Sequence, residues 1–109
     1  MSLYKGIPRL AKDAGYIVTK DGRRLRPARS QKALNHSPNG FNWGYEGSGP
    51  AQLALALLME EITIEQALKL HQDFKRGVVA KWTTARPWEI TSEEIARWLV
   101  IHPLRGRLN

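Results

Sequence analysis

The segment Pro50-Ala51-Gln52-Leu53-Ala54-Leu55-Ala56-Leu57-Leu58-Met59-Glu60-Glu61 decides the fold. Alanine and leucine are strong helix formers, and the helix they predict is apolar nearly all round. A helix without a polar face has to be surrounded by protein, so Pro50–Glu61 is expected to be the central buried helix, with Leu53, Leu57 and Leu58 in the core. The apolar run from Pro50 to Met59 is only roughly 15 Å long as a helix, about half a bilayer core, which makes it a core element and not a membrane span. Immediately upstream, Gly44-Tyr45-Glu46-Gly47-Ser48-Gly49 is a Gly-rich turn. Ser48 or Gly49 suits the helix cap, and Pro50 has the fixed φ favoured in a first turn.

Further upstream, residues 28–47 read as an ordered loop. Turn formers (Asn35, Ser37, Pro38, Asn39, Gly40) alternate with Phe41, Trp43 and Tyr45, large aromatics that have to pack against something. Before it, Gly15–Lys20 is strand-like, Asp21-Gly22 suits a two-residue turn with positive φ, and Arg23–Arg26 is the return strand, ended by Pro27. Alternation along that strand turns Arg24 and Arg26 to solvent and Leu25 to the core. Downstream, Thr63-Ile64-Glu65-Gln66 reads as a capping box that opens an amphipathic helix through Ile64, Ala67, Leu68, His71, Phe74, Val78 and Trp82, with Gly77 placed to bend or end it. Trp88–Ile90 is a short candidate strand. Thr91-Ser92-Glu93-Glu94 caps a last helix with Ile95, Trp98 and Leu99 inward, Pro103 ends it, and Arg105-Gly106-Arg107 is a basic tail. The fold class expected is α+β: a small N-terminal antiparallel sheet or hairpin packed against about three helices. A chain of 109 residues makes one domain, divided into a basic hairpin region (1–34), an aromatic and Gly-rich loop (35–49) and a helical part (50–109).

Charge is distributed unevenly. Residues 1–36 carry nine basic and two acidic side chains, whereas 37–109 carry eight of each, so the whole net charge of +7 lies in the first third. Such a patch points to a polyanion or an acidic protein surface, against the plainer reading of a solvated face. The residues expected to carry partner contact are Lys20, Arg23, Arg24, Arg26, Arg29 and Lys32. The absence of cysteine excludes disulfides and cysteine-ligated zinc and suits a cytoplasmic setting. No apolar leader segment stands at the N-terminus.

The run from Asn35 to Ala56, Asn-His-Ser-Pro-Asn-Gly-Phe-Asn-Trp-Gly-Tyr-Glu-Gly-Ser-Gly-Pro-Ala-Gln-Leu-Ala-Leu-Ala, resembles the signature of an uncharacterised family of small bacterial, archaeal, phage and plasmid proteins. The likeness extends to Phe74-Lys75, Val78-Val79, Trp88, Glu94-Ile95 and Trp98-Leu99. It implies a mobile-element context and supplies no catalytic residues.

Within the signature, the Gly-rich turn at a helix start is a candidate anion cradle, although its spacing is neither a dinucleotide fingerprint nor a P-loop and Glu46 would repel an anion. The alternative is a tight structural turn. His36 beside Ser37 invites a base-and-nucleophile reading, but neighbouring residues rarely face one another, and a turn network around Ser37 and Asn39 is the stronger reading. His71 on an apolar helix face is expected to be a satisfied imidazole, and His102 a helix C-terminal residue. Trp43, with Tyr45 or Phe41, is weighed as a base-stacking platform against core packing, which is favoured. Contact residues of the loop are therefore His36, Trp43, Tyr45, Gly47, Ser48 and Gly49. No metal, cofactor or catalytic residue is implied.

The leading expectation is a non-enzymatic accessory protein of a phage or mobile element. It would bind nucleic acid or a host protein or nucleoprotein through its basic N-terminal region, as an inhibitor of host defence such as an anti-CRISPR protein does. Small-ligand or nucleotide-phosphate binding at Gly44–Gly49, and an enzyme built around His36, are the alternatives.

Overall fold

In a computed structural model, which describes residues 1–8 and 16–102, the chain is an α+β domain. Strands β1 (Leu3–Ile7), β2 (Ile17–Lys20), β3 (Arg23–Arg24) and β4 (Trp88–Thr91) form one antiparallel sheet in the order β3-β2-β1-β4. Among the described residues, helices α1 (Ala28–Ala33), α2 (Ser48–Met59), α3 (Ile64–Gly77) and α4 (Ser92–Ile101) accompany the sheet, with a 3-10 turn at Val79–Lys81. No helix among the described residues is long and apolar enough to cross a membrane.

The hairpin forms as its turn residues require. Asp21 (φ 51°) and Gly22 (φ 82°) both take positive φ, and Thr19 pairs with Arg24 and Lys20 with Arg23. Its return strand stops at Arg24, two residues short of the expected end. The sheet gains the N-terminal strand β1, which the sequence does not announce, between the hairpin and β4. Gly6 pairs with Val18 on one side and Trp88 on the other. A Cβ at Gly6 would fall 2.1 Å from Nε1 of Trp88, so the indole lies flat over the glycine. Trp88 stacks in turn on Trp82 (centroids 4.2 Å apart, planes at 18°) and meets the edge of Trp43.

Helix α2 is the core. All its residues from Gly49 to Met59 are buried, including Leu53, Leu57 and Leu58, as expected of a helix apolar on every side. It begins at Ser48, with Gly47 as an N-cap that supplies no side-chain bond, so Pro50 stands third in the helix and not first. The expectation of an unbroken loop over 28–47 fails at its start, where Ala28–Ala33 form α1. No side chain caps that helix. It is held instead by Ser30, which donates to the Pro27 carbonyl and accepts from Gln52 of α2, a contact 22 residues away that no local pattern reveals. α3 starts where Thr63 accepts from the Gln66 N–H, and it ends at Gly77. Val78 and Trp82 consequently lie beyond it, where Val79 is buried and Trp82 packs on Trp88. The Thr91–Glu94 capping box opens α4 with both reciprocal bonds present. The basic tail at Arg105 and Arg107, the helix stop at Pro103 and the first strand position at Gly15 lie outside the described residues.

Candidate functional site

The basic face starts from an edge strand. β3 closes one side of the sheet, so both faces of Arg23 and Arg24 reach solvent, and Arg26 and Lys32 are exposed on the segment that follows. None of these four makes an ion pair among the described residues. Lys20 and Arg29 behave differently. Lys20 shares the inner face of the sheet with Tyr4 and reaches Glu60 at 3.0 Å; Arg29 meets the same carboxylate at 3.2 Å and the Met59 carbonyl at 3.4 Å. The half-buried Glu60 thus draws two of the six expected contact residues onto the end of α2. Beside it, Glu61 accepts the Tyr4 hydroxyl, and burial together with that bond holds the phenol far above its ordinary pKa.

The signature loop is stitched down on both sides. Gln52, wholly buried in α2, accepts from the N–H groups of His36 (2.7 Å) and Ser37 (3.0 Å). Its amide nitrogen donates to Ser30 Oγ and the Leu34 carbonyl. At the other end Gly44 donates to the Val79 carbonyl, Thr84 donates to the Gly44 carbonyl, and the Trp43 indole donates to the Arg86 carbonyl. Trp43 is fully buried, against Tyr16 and Trp88, and offers no ring to an incoming base. Tyr45 is the exposed aromatic of the loop.

The glycines serve different needs. Gly44 takes φ +86° and lies so close to Thr84 that a Cβ would fall 2.5 Å from its backbone nitrogen. Gly47 and Gly49 do not have positive φ; they are small because Tyr45 and Asn42 pack directly on them.

His36 turns to His71 and not to Ser37. The two Nε2 atoms are 2.8 Å apart, and His71 Nδ1 lies 2.9 Å from the Leu68 carbonyl and 3.2 Å from that of Ala67. Two carbonyls can only accept, so His71 carries its proton on Nδ1 and presents a lone pair at Nε2. His36 Nε2 is then the donor of the pair. Burial lowers both histidine pKa values, and nearby Lys75 lowers them further. This arrangement makes His71 the satisfied imidazole expected of it and uses the Nε2 of His36 for a structural bond. His102 caps α4, stacked on Trp98. No group of three or more potential metal ligands occurs among the described residues.

A family model covers residues 4–101, which is nearly all of this architecture, from β1 to the end of α4. The chain belongs to DUF6166, a family of unknown function. Its match takes in the sheet, the stitched loop and the buried helix as one unit. No significant match was found among curated proteins or solved structures.

The residue missed in the sequence of this DUF6166 chain is Gln52. Its signal was present: a lone amide in an otherwise apolar helix has to be paired when buried. The His36–His71 bond left no such signal, because its members stand 35 residues apart.

Proposed function

We propose that this protein is a non-enzymatic binding module that grips the phosphate backbone of a nucleic acid through Arg23, Arg24, Arg26 and Lys32. The observation that supports this is charge left uncompensated. Where the fold has a carboxylate within reach, as at Glu60, it takes up Lys20 and Arg29; these four are exposed, close in sequence and without an ion pair among the described residues. Guanidinium groups on a short edge hairpin can follow a polyanion without reorganising the core. Backbone contact of this kind is sequence-independent and releases counterions. The setting in a phage or plasmid comes from the resemblance of the signature run and not from these residues.

Each phosphate contact contributes roughly 0.7–0.9 to the slope of log affinity against log salt. Replacing Arg24 and Arg26 together by Gln is expected to flatten that slope by about 1.5 and to weaken binding equally across sequences. Binding of the double variant that matches wild type at low salt overturns the reading. A partner retained after nuclease treatment, with slowed association in the double variant, assigns the same face to an acidic protein instead.

A further inference from the structure

The signature loop and the first turn of α2 enclose an open cavity of about 340 Å3 that includes none of the basic-face residues. Its polar lining is rich in donors. The N–H groups of Ser48 and Gly49 have no partner among the described residues, because they belong to the first turn of α2 and no side chain caps it. Asn42 accepts the Trp43 N–H through Oδ1, which leaves its amide nitrogen as the donor. Ser37 supplies a second, independent sign of a ligand. Only 7% of it is exposed, its N–H donates to Gln52, and its carbonyl accepts from Gly40 and Gln31. Its hydroxyl has no partner among the described residues, and Ser37 lines the cavity.

No carboxylate lines the cavity among the described residues. Glu46, which would repel an anion, is turned away to Lys75 at 3.3 Å. The first turn of α2 contains no acidic residue, so the positive end of a 12-residue helix dipole is uncompensated there. Tyr16 and Tyr45 form aromatic walls. Tyr45 is packed down on Gly47, where a Cβ would lie 2.5 Å from its ring, and the residue is otherwise exposed. A volume of about 340 Å3 lies at the small end of ligand pockets and holds one compact molecule, not a polymer.

We propose that this cavity binds a small phosphate monoester of mononucleotide size. The Ser48 and Gly49 N–H groups, the Asn42 amide and the Ser37 hydroxyl hold the phosphoryl oxygens, and Tyr16 and Tyr45 flank the attached ring. The site stands apart from the arginine face, so loss of either leaves the other intact.

The test is an NMR titration of the 15N-labelled full chain with inorganic phosphate, a 5′-mononucleotide and the matching nucleoside. Saturable shifts at the Ser48 and Gly49 amides are expected, tightest for the mononucleotide and weakest for the nucleoside. Ser37→Ala is expected to weaken binding several-fold. Ser48→Asp occupies an exposed first-turn position where a carboxylate suits the helix, so the fold is retained while phosphate affinity falls by at least about tenfold. The proposal is overturned by a nucleoside that binds as well as its phosphate, or by Ser48→Asp binding like wild type. Shifts confined to the Arg23–Arg29 amides overturn it equally.

Discussion

Gln52→Met is the sharpest perturbation of this fold. Methionine matches glutamine in length and lacks branching, so the substitution removes hydrogen bonds with little change of shape. Four bonds disappear: two accepted from His36 and Ser37, and two donated to Ser30 and Leu34. Ser30 keeps its bond to Pro27, and its loss is small. The two backbone N–H groups and the Leu34 carbonyl lose their partner at a buried or half-buried site. A stranded buried group costs about 1–3 kcal/mol, so three of them, partly relieved by water at the half-buried ones, cost about 3–5 kcal/mol. Added apolar burial by the thioether offsets about 1 kcal/mol, which leaves a net loss of about 2–4 kcal/mol. Urea unfolding of variant and wild type measures it, with an unchanged m-value as the control. Hydrogen exchange should quicken first at the His36 and Ser37 amides and in α1, the segments that Gln52 ties to α2. A stability loss below about 1 kcal/mol, with exchange at those amides unaltered, would refute the assignment of Gln52 as the anchor of the loop.

Two further outcomes follow from the geometry. The folded state lowers the pKa of both His36 and His71 below the ordinary 6.5, so the unfolded chain binds more protons between those values. Stability is therefore full above about pH 6.5 and falls as the pH drops through this window; urea midpoints at about pH 7.5 and pH 5.5 should show it. The double variant His36→Gln/His71→Gln should lose less on acidification, and an equal loss would show that the pair is not the cause. Gly44→Ala meets both a positive φ and the Thr84 backbone, so it should destabilise by about 2 kcal/mol or more in the same assay. A neutral effect would place the loop elsewhere.

What could be read in the sequence was local. The apolar run Leu53–Met59 can be stable only if enclosed, so its burial follows from composition alone. Thr63 and Thr91 meet the N–H three residues on, and Asp21-Gly22 meets the φ requirement of its turn; each signal is complete within four residues. The uneven charge was legible too, because counting needs no geometry. Tertiary structure alone decided which charges stay free. Lys20 and Arg29 look like Arg24 and Arg26 in sequence, and only the approach of Glu60, 40 and 31 residues away, gives them an ion-pair partner. Strand β1 was hidden for a similar reason: Gly6 weakens any strand signal, yet it is the residue on which the Trp88 indole can lie. Helix α1 lacks a cap of its own and depends on Gln52. Tyr45 and Asn42, which line the cavity beside α2, pack where Gly47 and Gly49 leave room for them. Short-range hydrogen-bonding and solvation preferences act through neighbours along the chain, and so they are written in it. Which distant groups meet is set by packing around α2, and that exists only once the chain has folded.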